Sequence, residues 1–172
     1  ALAIKDRIIG IAAEQSRSDT PASFTGRLKG LSRTLALLDG RNSGEFIIDK
    51  LALPQQWDEW TRVDALEALL LSGAPLPAKR VLEVLNPVIE HAITVPYNRE
   101  QADYLLSRCL CLLPFVEPPS QGITRIREIE PIKRMWGYEF QGLVAALGYS
   151  RCNDALGLLI DMAKSEEQRL EG

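Results

Sequence analysis

Apolar residues recur along the chain at the spacing of one helix face, and short stretches that are polar or contain Gly or Pro separate the runs. In AIKDRIIGIAAEQ, the residues Ile4, Ile8, Ile9 and Ala12 fall at positions i, i+4, i+5 and i+8 of one helix. No segment alternates between apolar and polar residues over a length that predicts a strand. The pattern therefore predicts an all-α protein of about eight to ten helices.

Residues that start or stop helices lie between the apolar runs. Ser43 is predicted to cap the helix GEFIIDKLAL, which ends before Pro54. Gly73 and Gly148 each follow a run of leucine and alanine and are predicted to end their helices. Asn153 is predicted to cap the last helix. These positions are the expected boundaries of individual helices along the chain.

Two segments interrupt the regular pattern. Pro87 lies inside an otherwise helical run and removes one backbone donor, so we expect a kink or a break near residues 85–86. Residues 115–122, with the sequence FVEPPSQG, form the clearest predicted loop. After this loop, isoleucines recur every three residues from Ile123 to Ile132. That spacing fits a helical stripe, although Pro131 interrupts it.

The predicted helix ends recur along the chain. They fall at Leu38, Leu71, Leu113 and Leu147, at intervals of roughly 33, 42 and 34 residues, as in helical-repeat arrays. Two hairpins, LALLDGRNSGEFIIDKL and VAALGYSRCNDALGLLI, also superimpose in sequence, with matches of Leu38 to Leu147, Phe46 to Ala155, Ile47 to Leu156, and Leu51 to Ile160. A single hairpin cannot bury both of its apolar stripes, whereas stacked hairpins can.

The segment LVAALGYSRCNDALGLLIDMA, residues 143–163, resembles a HEAT-type repeat whose first helix ends in Ala-Leu-Gly and whose second begins with a capped Ala-Leu. Armadillo and tetratricopeptide repeats share the same helical rhythm. The chain is also similar to the helical C-terminal region of large bacterial NTPases that act in signal transduction. These resemblances imply an α-solenoid of stacked antiparallel helix pairs, with residues 1–172 as one helical-repeat domain. We expect the chain, which begins at Ala1, to be a fragment of a longer protein.

The composition of the chain limits the partners and the cellular location that we expect for it. The chain has 172 residues and a net charge of −3, so it offers no broad attraction to a nucleic-acid backbone. Three cysteines, two of them in an apolar run, are typical of buried thiols in a reducing compartment, which predicts a cytoplasmic protein. No signal peptide and no apolar run of about 18 residues is present, so we expect no membrane insertion.

The side chains that could bind a metal or take part in catalysis each allow two interpretations. Cys109 and Cys111 form a C-x-C pair that could bind a metal, but positions i and i+2 point to different sides of a helix, which favours inert thiols. His91, the only histidine, could act as a base, yet no nucleophile lies at a suitable helical spacing. The sequence also lacks a phosphate-binding loop and other common catalytic motifs. We therefore predict a protein that is not an enzyme and has no cofactor or metal.

The segment from Trp57 to Trp60 suggests a specific alternative function. Some HEAT-like proteins are DNA glycosylases, in which tryptophans and an aspartate line a concave basic surface, and this segment contains Trp57, Asp58 and Trp60. The spacing of the two tryptophans is also that of a stripe facing the core. Asp58 and Glu59 make the region acidic, which disfavours binding to a phosphate backbone.

The densest basic segment follows the predicted loop. Its cations and aromatic residues could bind a partner or nucleic acid, while Glu128 and Glu130 offer local ion pairs instead. We predict a non-catalytic scaffold that binds a protein partner, as a sensor or regulatory segment of a larger protein. The alternative is a nucleic-acid-binding or DNA-repair protein of the HEAT-like class. The predicted partner-binding residues are Arg125, Arg127, Arg134, Trp136 and Tyr138.

Overall fold

A computed structural model describes residues 2–15, 30–35, 37, 41–94, 99–129 and 138–170. Of these residues, 85% are helical, which confirms the predicted all-α class. The chain divides into two compact units, an N-terminal unit, Ala1–Val88, and a C-terminal unit, Ile89–Gly172. Each unit is described below by itself. Among the described residues, no helix combines the length and the apolar character that a membrane crossing requires.

The N-terminal unit is built from short helices around an aliphatic core. Ile8, Ile47, Leu51, Leu66 and Leu69 are each fully buried. Burial of side chains of this size stabilises the fold by about 1.5–3 kcal/mol each relative to exposure. Its elements are α1 (Leu2–Gln15), α2 (Arg41–Ile47), a π-helical turn (Ile48–Ala52), α3 (Glu59–Leu71), the two-residue strand β1 (Leu76–Pro77) and most of α4 (Ala78–Thr94).

The start of α2 differs from the sequence prediction. The helix begins at Arg41, so Ser43 lies inside its first turn and does not cap it. The Ser43 hydroxyl is buried and makes no hydrogen bond within the described part of the chain. A serine before an apolar run resembles a cap in sequence, but here packing on the core places it within the helix. The predicted end before Pro54 is confirmed, because the π-helical turn stops at Ala52.

Gly73 ends α3 as predicted. It adopts a φ of 72°, in the left-handed region. Its N–H donates to the Leu70 carbonyl at 3.0 Å, and the Ala74 N–H donates to the Leu69 carbonyl at 3.0 Å. These two bonds form a Schellman motif, which pairs carbonyls that would otherwise lack donors at the helix end.

Pro87 does not break its helix. α4 continues from Ala78 to Thr94 through this residue. Val84, Leu85, Val88 and Ile89 around it are fully buried, whereas Pro87 itself is exposed. Apolar burial on both sides of the proline thus keeps the helix continuous despite the lost backbone bond.

The C-terminal unit contains the second group of helices. Its core includes Ile89, Leu110, Leu113 and Leu143, all fully buried. Besides the end of α4, its elements are α5 (Arg99–Leu112), a 3₁₀ turn (Leu113–Phe115), the two-residue strand β2 (Val116–Glu117), α6 (Pro119–Glu128), α7 (Tyr138–Ser150) and α8 (Asn153–Leu170).

Within the C-terminal unit, helices that alternate in the sequence pack against each other. α5 packs against α7, and α6 packs against α8. α7 and α8, which are consecutive, also pack against each other.

The predicted loop at residues 115–122 is shorter than expected. α6 already begins at Pro119, because proline is well suited to the first position of a helix. Gly122 is buried where this helix meets the preceding 3₁₀ turn, and a Cβ atom there would lie 1.9 Å from the Leu113 carbonyl oxygen. The predicted stripe is confirmed for Ile123, Ile126 and Ile129, which are all buried. Ile132 lies outside the described residues.

The predicted stop at Gly148 is wrong. α7 continues to Ser150, and Arg151 adopts the left-handed conformation with a φ of 52°. α8 then begins at Asn153, one residue earlier than a cap at that position would place it. A glycine can occupy a helix interior, and here the turn follows three residues later.

Burial differs between the two hairpins that match in sequence. Ile47 and Leu51 are fully buried, while their counterparts Leu156 and Ile160 are 59% and 46% exposed. The helix end predicted at Leu38, together with residues 39–40 that follow it, lies outside the described part of the chain. The match in sequence is therefore not a match in packing.

Candidate partner-binding site

Arg125 connects α6 to the end of α4 within the C-terminal unit. Its guanidinium pairs with Glu90 near the end of α4 and, at 3.2 Å, with Glu128 one turn along its own helix. Only 17% of the Arg125 side chain is exposed. Ion pairs that are partly buried are screened less by salt than exposed ones. Arg125 therefore contributes to the packing of the unit in addition to its surface charge.

Arg127 connects α6 to α8. Its Nη1 atom lies 2.7 Å from Oδ2 of Asp161, and the two side chains are 46% and 56% exposed. The guanidinium passes close to Gly157, where a Cβ atom would lie 3.6 Å from Nη2. Gly157 and Asp161 are one turn apart, so the arginine extends along α8 over the glycine to reach the carboxylate. Arg125 and Arg127 of the predicted site thus each have an acidic partner.

The remaining residues of the predicted site are only partly placed. Tyr138 is the first residue of α7. Arg134 and Trp136 lie outside the described residues. Arg125 and Arg127 both lie on the last turn of α6 but point to different sides of it, Arg125 toward Glu90 and Arg127 toward Asp161. The grouping of all five residues stays a prediction.

Asp58 caps α3. Its Oδ1 atom accepts a hydrogen bond from the Thr61 N–H at 2.8 Å, and its Oδ2 atom accepts one from the Thr61 hydroxyl at 2.8 Å. Trp57 donates from its indole nitrogen to the Lys50 carbonyl at 2.6 Å. Trp57 and Trp60 are half-buried. These contacts give Asp58 and Trp57 structural roles in positioning the start of α3.

The cysteines and the histidine differ in their exposure to solvent. Cys109 is buried and Cys111 half-buried, with the Cys111 sulfur 3.4 Å from where a Cβ atom on Gly142 would be. His91 is exposed on α4. Within the described ranges, no three or more His, Cys, Asp or Glu side chains are grouped so that they could hold a metal ion.

Sequence reasoning missed an exposed apolar surface on α8. Leu156 and Ile160 are exposed one turn apart, and Tyr149 at the end of α7 is 78% exposed. The signal was present in the sequence, because apolar residues between 155 and 163 cover more of the helix surface than one packing contact requires. The sequence match between the two hairpins instead aligns Leu156 with Ile47 and Ile160 with Leu51, which are both buried.

Comparison with known proteins gives no relative on which to base a function. No protein family, curated protein or solved structure matches the chain.

Proposed function

We propose that the chain is a non-catalytic scaffold of HEAT-like helical repeats, an α-solenoid, that binds a protein partner. The observation that supports this proposal best is the packing of α5 on α7 and of α6 on α8. Stacked helical hairpins pack in this way, with the first helices in one row and the second helices in the other. Each row then offers an extended surface to a partner.

The proposed contact surface includes the last turn of α6 and the residues that follow it, Arg125, Arg127, Arg134, Trp136 and Tyr138. Arg127 is about half exposed, and it can exchange its contact with Asp161 for an acidic group of a partner. An exposed ion pair contributes only about 0.2–1 kcal/mol, so this exchange is energetically accessible. In a larger protein, such binding would make the chain a sensor or regulatory segment.

The charge arrangement favours a protein over nucleic acid as the partner. Arg125 and Arg127 each contact a carboxylate, so their positive charges are locally balanced. Nonspecific binding to DNA depends on cations that replace counterions along the phosphate backbone. The Asp58 carboxylate, the candidate acid of a glycosylase, accepts two hydrogen bonds from Thr61 at a helix start. We also propose a cytoplasmic location, since all three cysteines remain thiols.

Affinity capture with a matched control tests this function. Immobilised wild-type chain, Arg127→Glu and Arg80→Glu are exposed to an extract of the source cells, and a recovered protein is purified and titrated by calorimetry. Arg80 is the control, because it also forms a partly exposed ion pair, with Asp49. We expect Arg127→Glu to weaken binding at least about tenfold, or about 1.4 kcal/mol, and Arg80→Glu to leave it unchanged.

Two results would contradict the proposal. One is equal binding of the recovered protein to both variants, which would place its contact elsewhere. The other is tight binding of the chain to duplex DNA, with an affinity that falls steeply as salt increases. That second result would favour the nucleic-acid alternative.

A further inference from the structure

We draw no further inference here: the strongest candidate, the exposed aliphatic surface patch of Leu156 and Ile160 on α8, is an unpartnered apolar face, and nothing in the structure shows what covers it.

Discussion

Arg127 and Asp161 connect two helices that are 34 residues apart in sequence, with 2.7 Å between Nη1 and Oδ2. Both side chains are about half exposed, so water and salt screen their attraction. The pair therefore helps to fix the position of α6 along α8, and it contributes little to the stability of their packing. The buried apolar residues of the two helices, Ile126 of α6 and Ala155 and Leu158 of α8, contribute more to stability than this pair does.

A double-mutant cycle on Arg127→Ala and Asp161→Ala should give a small coupling energy. We expect about 0.2–1 kcal/mol, since exposed ion pairs gain little over their hydrated forms. The measurement is urea unfolding of the wild type, both single variants and the double variant at two salt concentrations. The coupling should fall at high salt, and a value that does not change with salt would show that the charges are not the source of the interaction.

Gly122→Ala should strongly destabilise the chain. The added methyl group would meet the Leu113 carbonyl oxygen at 1.9 Å and the Val116 side chain at 2.9 Å, so α6 must shift away from the 3₁₀ turn. Overpacking of this kind costs roughly 1–3 kcal/mol, occasionally more. The measurement is the midpoint of thermal unfolding.

Gly10→Ala is the control for this substitution. A Cβ atom on Gly10 has no neighbour within 4 Å, and Gly10 lies inside α1. That variant should be neutral or more stable, by up to about 1 kcal/mol, because alanine favours the helix. Equal effects of the two substitutions would refute a specific contact at Gly122.

Gly73→Ala and Gly148→Ala should change stability in opposite directions. Gly73 has a φ of 72°, where a side chain costs about 1–2 kcal/mol, so its replacement should destabilise the chain. Gly148 lies within α7 and has open space around it, so alanine there should stabilise by roughly 0.5–1 kcal/mol. Urea unfolding of both variants measures the two signs. Destabilisation by Gly148→Ala would mean that α7 ends at this glycine after all.

Asp58→Ala and Asp58→Asn test whether Asp58 caps α3. Loss of the side-chain acceptor for the Thr61 N–H should cost about 1 kcal/mol in the alanine variant. Asparagine caps helices about as well as aspartate, so its variant should have nearly wild-type stability. The free energy of unfolding in urea distinguishes the two. An asparagine variant as unstable as the alanine variant would show that the negative charge itself is required.

The sequence predicted those parts of the fold that depend on local chemistry. Isoleucines every three residues identified the buried face of α6, and Gly73 marked the end of α3, because both signals act within one or two turns. The helix start predicted from Ser43 and the helix end predicted at Gly148 were wrong for the same reason. Each resembles a helix boundary locally, yet Ser43 lies inside the first turn of α2 and α7 continues past Gly148.

The candidate site shows the same limit. Arg125 and Arg127 were identified as surface cations, and Glu128 as a local partner. Their other partners, Glu90 and Asp161, lie 35 and 34 residues away in sequence. Such pairs form only when specific helices become neighbours, and one-dimensional periodicity does not determine which helices meet. The exposure of Leu156 and Ile160 was missed because periodicity locates an apolar face without stating what covers it.

The proline within α4 has a mechanical consequence. Pro87 cannot donate to the carbonyl of Glu83, and both residues are exposed, so water can solvate that carbonyl whatever the local curvature. The turn at Pro87 therefore has one backbone hydrogen bond fewer to oppose bending than the other turns inside α4.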